Sequence, residues 1–100
     1  MKTKLISKNV TIHGRRTSLR LEQASWEAIL DICECEGLTV HELCSMIENR
    51  CEGASRTSAV RAFIVTYFRS VVAEYGALQR GFASVILPEL AARNSKARRG

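Results

Sequence analysis

Polar and apolar side chains alternate along residues 15–21, Arg-Arg-Thr-Ser-Leu-Arg-Leu. A period of two is typical of an extended chain that buries one face and turns the other toward water. The pattern therefore predicts a half-buried β-strand in this segment. Its polar face carries Arg16, Ser18 and Arg20.

The residues before this strand show no clear periodicity. Val10 and Ile12 alternate with polar neighbours, as in a short extended piece, but Gly14 interrupts the pattern. We therefore predict that residues 1–14 form a basic and partly disordered N-terminal arm.

The predicted strand has no second convincing strand in the chain to pair with. An unpaired strand leaves its backbone N–H and C=O groups without hydrogen bonds, and the simplest partner is the same strand of a second copy. The predicted fold class is mostly α with one short β-strand per chain. In this arrangement, two chains form an intermolecular antiparallel ribbon within a homodimer.

Three helices are predicted after the strand. The first begins near Glu22 and ends at Gly37, where a C-terminal glycine is favoured. A Thr-x-x-Glu capping-box pattern at Thr39 opens the second helix, and Gly53 ends it. The third helix, within residues 55–76, carries an apolar stripe so wide that little polar face remains. Such a helix is normally covered on more than one side, which also indicates a homodimer.

The predicted organisation is thus a basic arm over residues 1–14, one domain over residues 15–76, and an extension over residues 77–100. A short amphipathic helix is possible within the extension, although Pro88 interrupts it, and a basic tail ends it. Trp26, Phe63, Tyr67 and Phe68 are predicted to lie in the core because of their helical spacing.

Size and composition narrow the class of protein. One hundred residues with 46% hydrophobic and 25% charged side chains make one small globular domain, which excludes a multi-domain enzyme. No apolar run reaches the roughly 18–20 residues of a membrane-spanning helix, and the N-terminus lacks the apolar region of a secretory signal. We expect a cytoplasmic protein with no membrane partner.

Charge is segregated along the chain, although the net charge is only +5. Residues 1–20 carry six bases and no acid, residues 21–54 carry eight acids and one base, and residues 55–100 carry eight bases and two acids. This segregation favours a molecule with one face for a polyanion and another facing water. The alternative is that the charges only keep a small protein soluble.

Metal binding and catalysis are not expected. Cys33 and Cys35 lie about 200° apart on a helix, so they do not easily share one ion. Cys33, Cys44 and Cys51 fall on apolar stripes, where reduced cysteine acts as a small hydrophobe. No set of nucleophile, base and orienting residue is recognisable, and no cofactor is predicted.

Three segments carry a resemblance to a known family. They are the strand motif R-T-S-L-R-L-E from Arg16 to Glu22, then Trp26, and S-A-V-R-A-F at residues 58–63. Together they resemble the ribbon-helix-helix family of bacterial DNA-binding proteins over roughly residues 8–70. The second helix of the commonest members is long and unbroken, whereas here a third helix follows Gly53.

The resemblance implies a homodimer whose ribbon inserts into the major groove of double-stranded DNA. It assigns base contacts to Arg16, Ser18 and Arg20, and arginine is suited to guanine because it donates two hydrogen bonds to that base. The N-terminus of the second helix would hold a phosphate. Its residues are Thr39, Val40 and His41, whose backbone N–H groups suit an anion.

Two further phosphate contacts are expected, Lys8 in the basic arm and Arg15 directly after it, unless these basic residues only solubilise the chain. Arg56 and Arg61 are candidates for phosphate contacts, but for Arg61 we favour an ion pair with a carboxylate of the acidic segment. The function predicted is that of a sequence-specific bacterial transcriptional regulator, such as a repressor, and not of an enzyme.

Three alternatives remain at this stage. Residues 77–100 could bind a protein partner, as in an antitoxin, which is compatible with DNA binding. The second and third helices could form a helix-turn-helix, although the strand would then be unexplained. Residues 77–99 could bind a membrane surface, but Gly81 and Pro88 weaken that helix.

Overall fold

The computed structural model describes residues 4–50, 55–76 and 83–88. Two antiparallel strands precede three helices, and residues 83–88 are also helical. The elements are β1 (Leu5–Ile12), β2 (Arg15–Glu22), α1 (Gln23–Glu36), α2 (Val40–Asn49) and α3 (Arg56–Tyr75).

The predicted strand is β2, and it pairs with β1 of the same chain. The prediction of one strand per chain is therefore wrong, and so is the argument that β2 needs a second chain in order to pair. Residues 5–12, assigned to the basic arm, form the missing strand. His13 and Gly14 connect the strands, and both have positive φ angles, 51° and 77°, as a two-residue type I′ hairpin turn requires.

Lys8 explains why the alternation of β1 is hard to recognise. The core face of β1 consists of Ile6, Lys8, Val10 and Ile12, so a charge interrupts an otherwise apolar face. The Lys8 ammonium lies 5.1 Å from the centre of the Trp26 ring, where the negative face of the ring attracts a cation. At position 8, the contact between the Lys8 ammonium and Trp26 of α1 thus takes the place of a buried apolar side chain.

The helix boundaries follow the local signals in the sequence. Gly37 ends α1 in the left-handed conformation, with φ of 69°. Thr39 caps α2 through a complete capping box, and the Ser55 side chain accepts a hydrogen bond from the Ser58 N–H at the start of α3. Glu22 is the N-cap of α1 without a side-chain cap bond. Helix α2 ends at Asn49, with Arg50 as its C-cap, and not at Gly53 as predicted. Cys51, Gly53 and the tail lie outside the described residues.

The core lies between the hairpin and the helices. Side chains from β1, β2, α1, α2 and the first part of α3 are buried together: Val10, Ile12, Leu19, Leu21, Trp26, Ile29, Ile32, Cys33, Leu43, Cys44, Ile47 and Val60. Trp26 is the anchor predicted from the sequence, because it is 4% exposed and its Nε1–H donates to the Ile6 carbonyl over 2.9 Å.

Only the first half of α3 is packed against this core. Val60 is fully buried, and Phe63, Ile64 and Tyr67 pack partly against the cluster. Large apolar side chains on the other face and toward the C-terminus of α3 are exposed: Val65, Phe68, Val71 and Tyr75. The predicted core position of Phe68 is therefore wrong, because no described element covers this part of the helix. In the part of the chain that the structure describes, no helix is long and apolar enough to cross a membrane.

Candidate nucleic-acid interface

The outer face of the hairpin is polar and exposed from the Ser7–Arg20 pair to the Thr11–Arg16 pair. Paired residues of an antiparallel ladder point to the same side, so the register divides the hairpin into a core face and an outer face. Apart from the terminal pair Leu5 and Glu22, this face consists of six exposed side chains from the two strands. We call this set the ribbon face: Ser7, Asn9, Thr11, Arg16, Ser18 and Arg20.

The structure brings the three predicted base-contacting residues together on the ribbon face. Arg16 and Arg20 flank Ser18, and the two arginines are about 13 Å apart along the strand. Neither guanidinium makes an ion pair within the described part of the chain. The two guanidinium groups are therefore available to bind an anion or the edge of a base.

Half of the ribbon face was not predicted from the sequence. Ser7, Asn9 and Thr11 come from β1, where they lie opposite Arg20, Ser18 and Arg16, respectively. The alternation of Val10 and Ile12 with polar neighbours was the signal for this strand. Gly14 predicts a break in this alternation, whereas in the structure it forms half of the hairpin turn.

Helix α2 covers the free edge of β1 beside the turn. The Thr11 N–H donates to His41 Nδ1 over 2.9 Å, and the His13 N–H donates to Ser45 Oγ over 3.2 Å. These bonds place the first turn of α2 next to the end of the ribbon face. A helix N-terminus beside a ribbon is well placed to meet the phosphates that border a groove.

The N-terminus of α2 is partly occupied by its own capping box. The Thr39 N–H donates to the Glu42 carboxylate, and the Glu42 N–H donates to the Thr39 hydroxyl, over 2.9 and 3.1 Å. The backbone and side-chain hydrogen bonds from Thr39 lower the pKa of Glu42, so a negative charge already lies at this helix end. Of the three predicted phosphate ligands, Thr39 is thus engaged, and the N–H groups of Val40 and His41 are the candidates that remain.

The two predicted phosphate contacts of the arm lie off the ribbon face. Lys8 is on the core side of β1, over Trp26. Arg15 pairs with Ile12 at the turn, and it also points to the core side, although its side chain is exposed at the tip. The structure therefore does not bring Lys8 and Arg15 together with the ribbon face.

Two other arginines are held by carboxylates. Arg61 makes two hydrogen bonds to Glu22, over 2.8 and 3.1 Å, as we favoured from the sequence. Arg56 makes two to Glu48, over 2.9 and 3.0 Å, and is not free for a phosphate. Burial by itself would raise the pKa of Glu22, but hydrogen bonds from its own backbone, from Arg61 and from Ser25 lower that pKa overall.

The acidic face of α1 lies on the side of the core opposite to the ribbon face. Trp26, Ile29 and Ile32 point into the core from α1, whereas Asp31 and Glu34 are exposed on the other side of that helix. The segregation of charge along the chain thus becomes a segregation in space. A polyanion on the ribbon face does not meet the carboxylates of α1.

Cys33 and Cys44 are buried, as their places on apolar stripes predicted, whereas Cys35 is exposed. Cys51 lies outside the described residues. Burial raises the pKa of the Cys44 thiol to about 11, so this thiol is protonated at neutral pH in the metal-free chain. Within residues 4–50, 55–76 and 83–88, no three His, Cys, Asp or Glu side chains gather as a metal site.

A basic β-ribbon followed by packed helices is the architecture of a class of small DNA-binding domains. The family model described as the ribbon-helix-helix domain matches residues 5–68, and the chain belongs to this family. Its members are DNA-binding, non-enzymatic domains that generally bind DNA as dimers. No curated protein and no solved structure matches the chain.

Proposed function

We propose that this protein is a sequence-specific DNA-binding regulator that inserts the ribbon face into the major groove. The observation that supports this function most directly is that the Arg16 and Arg20 guanidinium groups lie on one exposed face and make no ion pair with any residue that the structure describes. The major groove, about 12 Å wide, accepts a two-stranded ribbon, and arginine is the commonest partner of guanine there. The family of the chain supports the same function.

The hairpin alters how the reading ribbon is built. In the arrangement expected from the sequence, each chain supplies one strand. Here β1 and β2 form a complete two-stranded ribbon within one chain, and α2 lies along its edge. One chain can therefore present the ribbon to the groove and the Val40 and His41 N–H groups to a neighbouring phosphate.

The first prediction concerns Arg20. DNA sites would be selected by the full chain from a random pool at fixed salt, and binding would be measured by fluorescence anisotropy. Arg20→Ala should weaken binding to the selected site by about 1–3 kcal/mol and relax the preference at one base pair, because two hydrogen bonds to guanine are lost.

Arg50→Ala is the matched control, because Arg50 is exposed at the far end of α2 and the variant has the same net charge as Arg20→Ala. It should lower affinity slightly and equally for all DNA sequences. Equal losses for the two variants on selected and scrambled DNA would contradict base recognition by the ribbon face.

We further propose that a second copy of the chain packs on the exposed apolar half of α3. Val65, Phe68, Val72 and Tyr75 follow the 3-4-3 spacing of a helix–helix seam. Val72 is half-buried and the other three are exposed, and an exposed apolar patch of this kind marks an interaction surface. A second copy is the chosen partner because members of the family generally bind DNA as dimers. Because β2 already pairs with β1, it does not require a strand from a second copy. The apolar side chains of α3, in contrast, are not covered by any element that the structure describes.

The second prediction tests this interface. Val65→Glu places a charge on the seam and should convert a dimer into a monomer, as measured by sedimentation or light scattering. Thr66→Glu, at an exposed position of the same helix that points away from the seam, is the control and should remain dimeric. A dimer that survives Val65→Glu would use another surface, such as the outer edge of β2, and would contradict this assignment.

A further inference from the structure

Asn9 occupies the centre of the ribbon face. It lies directly opposite Ser18, two residues from Ser7 on one side and two residues from Thr11 on the other. Its side chain is exposed, and its amide makes no hydrogen bond within the residues that the structure describes. The neighbouring Ser7 hydroxyl, in contrast, is bonded to the Ser18 hydroxyl over 2.7 Å.

Asparagine is an unfavourable residue for the middle of a strand. Strands favour β-branched and aromatic side chains, and asparagine is depleted in them. Local rules of this kind are most often broken where a side chain is needed for function. The exposed amide at this position gives the hairpin no packing and no internal hydrogen bond, so its chemistry is directed outward.

The position of β1 brings this amide into the same groove as the arginines. Neighbouring strands are about 4.8 Å apart, so a groove that admits β2 with its ribbon face inward also admits β1. Arg16 and Arg20 are separated by about 13 Å, which corresponds to roughly four base pairs at about 3.4 Å each. Asn9 is level with the middle of that interval.

We propose that Asn9 is a base-specifying residue that recognises an adenine between the two guanine contacts of Arg16 and Arg20. An asparagine amide donates one hydrogen bond and accepts another, which matches N7 and N6 of adenine in the major groove. Both strands of one chain then read the same half-site. This inference rests on the proposed function, because it requires that the ribbon face enter the major groove.

The test uses the full chain and the site it selects from a random DNA pool. Asn9→Thr keeps a side chain that strands favour, so the hairpin should form, as checked by circular dichroism and urea unfolding. We expect the preference for A·T at the central position to fall roughly tenfold, while the flanking guanine preferences persist. Asn49→Ala is the control. It removes a side-chain amide of the same kind from the end of α2, and it should leave the selected motif unchanged.

Three outcomes would overturn the inference, and they can be told apart. If Asn9→Thr keeps the central preference, Asn9 does not read a base, although the proposed function stands. If Asn9→Thr weakens all sequences equally, its amide contacts the DNA backbone instead. If the unaltered chain selects no motif, the proposed function fails as well. In that case the Arg16→Ala variant will also bind all DNA sequences equally.

Discussion

At the scale of single residues, the ion pair between Arg61 and Glu22 decides how α3 is attached. It joins two residues 39 positions apart and ties the start of α3 to the junction between β2 and α1. The guanidinium meets the carboxylate through two hydrogen bonds, which fixes its orientation as well as its distance. Arg61 lies only one position after the buried Val60, so the pair borders the core.

The third prediction follows from the lowered pKa of Glu22. A lowered folded-state pKa contributes stability above the pKa of the unfolded chain, near 4.5, and this contribution is lost as the pH falls through the folded value. Arg61→Gln should therefore reduce the free energy of unfolding at pH 7 by about 1 kcal/mol or less, since the pair is partly exposed. The difference from the unaltered chain should shrink as the pH falls below about 4.5.

Urea unfolding at a series of pH values measures this difference. Arg16→Gln is the control, because it removes an arginine that makes no ion pair in the described part of the chain. Its unfolding free energy should follow that of the unaltered chain across the pH range. If the loss of unfolding free energy for Arg61→Gln stays constant down to pH 3, packing of the Arg61 side chain, and not its ion pair with the Glu22 carboxylate, accounts for the stabilisation.

At the scale of elements, the hairpin depends on two turn residues with positive φ. Gly14 adopts φ of 77° without strain because it lacks a Cβ, whereas His13, at 51°, does so as a residue with a side chain. The backbone N–H of His13 donates to Ser45, so α2 helps to hold the turn in this conformation. The ribbon face thus owes its shape to the turn and to the helix beside it.

The fourth prediction concerns this turn. Gly14→Ala should lower the free energy of unfolding by about 1–2 kcal/mol, since an L-residue is strained at this φ. A Cβ at position 14 meets nothing within 4 Å, so the cost comes from the backbone and not from a clash. Gly14→Asn should cost less, because asparagine tolerates the left-handed region.

Urea denaturation compares these variants with Gly76→Ala. Gly76 has extended backbone with φ of −146°, and a Cβ there meets only the Val72 carbonyl oxygen at 4.0 Å. This control should change stability by less than about 0.5 kcal/mol. Similar losses at positions 14 and 76 would mean that the turn conformation does not limit stability.

At the scale of the whole molecule, the fold sorts the charges that the chain carries in blocks. Among the described residues, the arginines of the ribbon face make no ion pair, α1 exposes carboxylates on the far side of the core, and α3 leaves large apolar side chains exposed. In the function that we propose, the first side binds DNA, the second faces water and the third binds a second copy. This segregation of charge would favour one orientation on DNA, because the acidic side repels phosphate.

The fifth prediction concerns Arg15, which is exposed at the hairpin tip beside Arg16 but points to the other face. If it contacts a phosphate, Arg15→Ala should weaken binding to all DNA sequences about equally. It should also lower the slope of log affinity against log salt by about one per chain. Anisotropy titrations at several salt concentrations, with Arg16→Ala as the matched variant, measure both effects. A change in sequence preference for Arg15→Ala would contradict its role as a phosphate contact.

The sequence by itself determined the three helices, their caps and the polar face of β2. These features depend on residues within one or two turns of each other. Gly37, the Thr39 capping box and Ser55 act locally, and the period of β2 is local as well. Arg16, Ser18 and Arg20 were therefore identified together on one face before any contact was known, and the family model agrees with that resemblance.

Only the tertiary structure decided which strand pairs with β2 and which half of α3 is covered. Lys8 lies on the core face of β1 because the Trp26 ring stabilises its charge, and Trp26 is 18 positions away in the chain. The hairpin turn holds His13 at a positive φ with help from Ser45, 32 residues later. Contacts between distant residues compensate for locally unfavourable choices such as Lys8, so the alternation of Val10 and Ile12 alone did not establish that β1 completes the ribbon.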